Sequence, residues 1–129
     1  MRGTRHRSRS TSALLGALAL CVACERTTSP GQDSTVVARL VSTHTDDAAA
    51  LIELTGDVRS VSAPSGTMIY SEETRAGVTR LLLVRDTPGR IEFSLQLADR
   101  SKRPTATVLQ VADGADQPRG DVSVYRVEY

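Results

Sequence analysis

The 129-residue chain has no tryptophan, one phenylalanine and three tyrosines, so an interior built on large aromatic rings is excluded and Val, Leu and Ile must fill it. Cysteine is nearly absent. Cys21 and Cys24 sit together in one short apolar segment, and residues 25–129 hold none, so no disulfide can brace them. No apolar run approaches the roughly 20 residues of a membrane-spanning helix. The longest, residues 13–23, has 11 residues. As a helix it would reach roughly 16 Å, about half of a hydrocarbon core of about 30 Å. A Gly-x-Ser-x-Gly nucleophile elbow is also missing, and so is any EF-hand spacing of acidic residues.

What is present at the start is ordered. Arg2, Arg5, Arg7 and Arg9 precede the apolar run with no acidic residue among them, and small residues close it. That sequence of charge, grease and small side chains marks a secretory signal peptide over residues 1–23. Ser8 separates Arg7 from Arg9, which argues for the general secretory route over the twin-arginine one. Cys21-Val22-Ala23-Cys24 resembles the lipobox of bacterial lipoproteins, although Cys21 stands where that family usually has Leu. The resemblance implies that Cys24 takes a diacylglycerol on its thiol and becomes the new amino terminus, with membrane lipid as its first partner. It also implies a place in the cell envelope, and Glu25 in the position after the cysteine leans toward the outer membrane rather than the inner. Two other readings of the segment are an ordinary secretory signal with incidental cysteines, giving a secreted protein, and a Cys-x-x-Cys redox pair. The last lacks the βαβ context that such a pair needs.

Cleavage before Cys24 changes the charge balance. The full chain has 16 basic and 15 acidic residues, and the leader removes four arginines and no acid, leaving 12 against 15. No basic stripe remains, which excludes a nucleic-acid partner. Residues 24–34, rich in Thr, Ser, Pro and Gly, read as the lipidated cysteine and a flexible tether. Fully extended, the tether lifts the remainder of the chain by at most about 35 Å from the lipid surface. Residues 35–129 suffice for one small domain.

That domain reads as all-β. Residues 35–42 alternate β-branched and apolar positions and predict a first strand. Residues 43–55 fit either a short helix capped at Thr45 or a strand; the strand is preferred, entered by a hairpin at Asp46 and Asp47 that would pair it with the first strand. Residues 58–63 and 67–71 are short strands about a Pro64-Ser65-Gly66 turn, and 72–77 reads as a loop. Leu81-Leu82-Leu83-Val84 predicts a strand buried on both sides. Residues 90–98 give the clearest period of two, with Ile91, Phe93, Leu95 and Leu97 on one side. Residues 105–111 and 122–129 supply the last strands. Seven or eight short strands without a long amphipathic helix predict a small antiparallel β-sandwich.

The stretch from Pro88 to Leu95, followed by Val111-Ala112-Asp113-Gly114 and Gly120-Asp121-Val122-Ser123-Val124, resembles the closing strands of cohesin-type domains. The resemblance implies a jelly roll that binds partner proteins. It assigns no binding residue.

Candidate chemistry is sparse. His44 beside Asp46 and Asp47 reads as a turn histidine, with a Ser-His-Asp site the sharper alternative. Asp113, Asp116 and Asp121 share one loop and are weak candidates for a hard cation, against a turn-forming role. Arg119-Gly120-Asp121 spells a tripeptide of adhesion ligands, a match that chance supplies often. Arg100-Ser101-Lys102-Arg103 reads as a solvated loop. The expectation is a non-enzymatic, lipid-anchored binding or structural module without cofactor, catalytic residue or metal, with an envelope protein or glycan as partner. The alternative is a small envelope enzyme or an accessory factor in glycan processing.

Overall fold

A computed structural model of the chain describes residues 34–129. The leader, Cys24 and all but the last residue of the tether lie outside the described residues. Eight strands run in chain order: β1 (Ser34–Val41), β2 (Asp47–Thr55), β3 (Val58–Ser62), β4 (Thr67–Arg75), β5 (Val78–Arg85), β6 (Glu92–Leu97), β7 (Thr105–Asp113) and β8 (Arg126–Glu128). They form two four-stranded antiparallel sheets, β3-β6-β1-β8 and β4-β5-β2-β7. The described residues contain no helix.

Side chains in a strand alternate between faces, and this alternation makes the core. Val36, Ala38 and Leu40 of β1 and Phe93, Leu95 and Leu97 of β6 point inward from one sheet. Ala50, Ile52 and Leu54 of β2, Leu81 and Leu83 of β5 and Val111 of β7 meet them from the other. Phe93 is the largest fully buried side chain among the described residues. The two sheets thus form a sandwich around one largely aliphatic cluster, with Phe93 and Tyr125 as its aromatic members.

Several expectations need correction. Residues 47–55 are a strand, but it does not pair with β1: β2 enters the second sheet between β5 and β7, while β1 lies between β6 and β8. The segment at residues 42–46 therefore crosses from one sheet to the other instead of closing a hairpin. Glu72–Arg75, expected in a loop, continue β4, and the reversal comes at Ala76-Gly77. Gly77 has φ of 72°, a left-handed conformation that the tight β4–β5 turn requires and that glycine adopts without strain. The run in β5 is not buried on both sides, since Leu81 and Leu83 are inside and Leu82 faces outward at 39% exposure. At the end of the chain only Arg126–Glu128 form a strand, and Val122 to Tyr125 turn before it.

Candidate functional site

Four segments converge at the end of the sandwich where β2 begins. Sequence parity would place Asp47 on the outer face with Ala49 and Leu51. An irregularity between Asp47 and Ala49 on the β7 side reverses that, and Asp47 is buried at 5% exposure. A buried carboxylate needs donors, and this one has three. Tyr125 Oη donates to Asp47 Oδ1 at 2.8 Å, Arg119 Nε to the same oxygen at 3.3 Å, and Ser42 Oγ to Oδ2 at 3.4 Å. The Arg119 guanidinium also bonds Asp46 through Nη2 and stands 3.7 Å from Asp113 Oδ2 through Nη1. One cation therefore holds three carboxylates together.

The loop after β7 is shaped to deliver Arg119. Asp113 Oδ1 accepts the backbone N–H of Ala115 and of Gln117, both at 2.9 Å, and Arg119 N–H reaches back to the Val111 carbonyl at 2.7 Å. Gly114 donates its N–H to the Asp46 carbonyl, and a Cβ there would lie 2.5 Å from Pro88 Cγ, so no larger residue fits. Asp116 takes a left-handed conformation, φ 59°, which Asp tolerates better than most residues.

Electrostatics follow from these contacts. Burial, reinforced by the hydrogen bond and charge of Asp47, pushes the Tyr125 hydroxyl up to about 12, so it stays protonated at neutral pH. Partial burial opposes the charge on Arg119, but the hydrogen bond and charge of Asp46, with help from Tyr125 and Asp47, outweigh it and raise its pKa. The N–H groups of Gln117 and Ala115 hold Asp113 below the usual carboxylate range, and Ser123 does the same for Asp121.

Ser42, His44 and Asp47 do come together, but not in the order that nucleophilic catalysis uses. The Ser42 hydroxyl contacts Asp47 directly, and it accepts from the His44 backbone N–H at 3.1 Å. The exposed His44 imidazole lies against the Tyr125 ring, centroids 5.7 Å apart and planes 17° from parallel. A cleft of about 430 Å³ opens beside them, with Arg39, Arg90 and Glu128 on its walls. Asp113, Asp116 and Asp121 do not converge. Asp121 caps the N–H of Ser123 at 2.8 Å, and among the described residues no group of three His, Cys, Asp or Glu side chains is placed to hold a metal ion. In the Arg119-Gly120-Asp121 tripeptide both charged ends are engaged within the fold. The basic loop is likewise tied back: Asp99 accepts from Ser101 and pairs with Lys102, while Arg103 sits over the Tyr129 ring.

A second feature lies on the open face of β4-β5-β2-β7. The cross-strand register aligns Met68, Val84, Ala49 and Ala112 in one outward row and Tyr70, Leu82, Leu51 and Gln110 in the next. Tyr70 is 59% exposed and Met68 49%. The adjoining row is charged, with Glu72, Arg80 and Glu53 in register and Arg80 Nη2 bonded to Glu53 Oε2 at 3.1 Å. Sequence reading missed both features. The Asp47 cluster joins residues more than 70 positions apart through a local irregularity, and the apolar face depends on pairings that no local pattern records.

Comparison with family models, with curated proteins and with solved structures gives no match to the chain.

Proposed function

We propose that this chain is a lipid-anchored, non-enzymatic binding module of the cell envelope, tethered through acylated Cys24 and displaying a β-sandwich outside the cytoplasm. The observation that carries the binding reading is the solvent-facing, largely apolar double row of β4-β5-β2-β7, because the largest apolar patch on a protein surface is often a functional one. The polar cluster at the sandwich end supports a structural role there. Its carboxylates, guanidinium and phenol are bonded to one another, and the Ser42 hydroxyl meets this bonded carboxylate of Asp47 and not the His44 imidazole. A jelly-roll, cohesin-like topology is supported by the nesting of the pairs β1·β8, β2·β7, β3·β6 and β4·β5, the pattern of one long hairpin rolled over itself. The order of the leader and Cys24 supports the anchor, and Glu25 supports the outer membrane.

Mass spectrometry of the mature protein tests the anchor. The expected amino-terminal residue is Cys24 carrying acyl mass, with Cys24→Ala abolishing both cleavage at that bond and the acyl mass. A free thiol at Cys24, or Met1 retained in the native product, would overturn the reading.

A further inference from the structure

The apolar face is complementary to itself. A two-fold axis laid parallel to the strands, between β5 and β2, places β5 of one copy over β2 of the other and β4 over β7 while preserving height along the strands. The rows then face themselves in reverse. Leu82 meets Leu51, Val84 meets Ala49, Met68 meets Ala112 and Tyr70 meets Gln110, so the larger side chains of β4 and β5 oppose smaller or equal ones. In the charged row Arg80 of each copy meets Glu53 of the other, turning one intramolecular pair into a ring of alternating charge. An axis laid across the strands, over the Tyr70-Leu82-Leu51 row, would instead press Glu72, Arg80 and Glu53 onto Met68, Val84 and Ala49, which is costly. We propose that this face is the interface of a symmetric homodimer, with a second copy of the chain as its occupant.

Two further observations agree. Four strands about 4.8 Å apart, three of nine residues and β5 of eight, at about 3.4 Å per residue give a face on the order of 600 Å² in projection, close to the roughly 800 Å² of accessible surface that each partner of a stable complex buries. Aligned packing of two sheets is also a standard way to cover such faces. The symmetry is compatible with the anchor: because the axis preserves height, Ser34 of both copies lies at the same end of the dimer.

The inference deepens the binding-module reading by naming the partner, and its test separates the two. The full chain is examined by sedimentation equilibrium in density-matched detergent from about 1 to 100 µM, alongside the acyl mass at Cys24. The expected result is a dimer. Leu82→Glu, beside the axis, is expected to weaken it at least about 30-fold with unchanged circular dichroism, as a central interface residue would, and Tyr70→Glu, on edge strand β4, is expected to weaken it less. Arg80→Glu and Glu53→Arg are each expected to be monomeric alone and dimeric when mixed in equal amounts, because every cross-copy contact then pairs opposite charges. Val37→Glu, on the opposite sheet, leaves the dimer intact. A monomeric wild type, a dimeric and folded Leu82→Glu, or a folded but monomeric charge-swap mixture would each overturn the interface. If the monomer still carries acyl mass, the dimer alone is wrong; a dimer without acyl mass leaves the interface standing and removes the anchor.

Discussion

The two outer faces of the sandwich are built on the same plan and differ in chemistry. Outward positions of β3-β6-β1-β8 hold Thr35, Arg39, Glu92, Ser94, Gln96 and Ser60, with Arg39 in register with Glu92 on one side and Glu128 on the other. Ser60 Oγ donates to Gln96 Oε1 at 2.8 Å across the strands, and Val37 is the one large apolar side chain exposed on those strands among the described residues. Outward positions of β4-β5-β2-β7 hold Tyr70, Met68, Leu82, Val84 and Leu51, with charge confined to one bordering row. The inward positions that form the core are apolar in both sheets. An antiparallel sheet with one solvated face ordinarily alternates apolar and polar residues, as β6 does. β5 departs from that rule with Leu82 and Val84 outward, and the departure is where a partner is to be sought.

The interior common to both faces gives the largest effect. Phe93→Ala removes the biggest buried side chain where the two sheets meet, and a loss of about 3–5 kcal/mol is expected. For a domain of this size the melting temperature should fall by roughly 15 °C or more. Thermal unfolding checks it, and because the core belongs to both sheets, both faces should lose order together. Separate transitions would break the picture of one sandwich.

A smaller effect is expected at the polar end. Tyr125→Phe removes one donor from buried Asp47 while Arg119 and Ser42 remain, for a loss of about 1–2 kcal/mol. It also has a pH signature. The Tyr125 pKa is raised in the folded state from 10.0 to about 12, so the unfolded chain ionises first. The stabilisation is fully present below pH 10 and is lost as pH rises toward about 12. Urea unfolding across that window should show a steeper decline for wild type than for Tyr125→Phe. Parallel declines would mean that Tyr125 is not held in this way.

Much of the fold is legible in single segments. The period of two at residues 91–97 marks both β6 and its inner face, and the turn residues Pro64-Ser65-Gly66 separate two strands that the structure contains. Pairing is not legible. Alternation in β1 and β2 is the same whichever strand lies beside them, so nothing local says that they belong to different sheets. Leu81-Leu82-Leu83-Val84 is ambiguous for a related reason: an apolar outward position reads the same whether covered by the protein itself or left open. Asp47 was hidden because a single irregular residue step reversed its side, and charge beside an apolar run reads as solvated. Asp113 and Asp121 serve their loop as turn-forming residues, a role their neighbouring glycines already suggested.

The contrast between the faces can be measured without any substitution. Tyr70 lies on the apolar face and Tyr129 away from it, so tyrosine-directed chemical labelling of the full chain can be followed as protein concentration rises. Tyr70 should react freely in dilute solution, in keeping with its 59% exposure, and become protected on concentration while Tyr129 keeps a constant rate. Equal labelling of Tyr70 at every concentration would contradict a face that closes on a second copy.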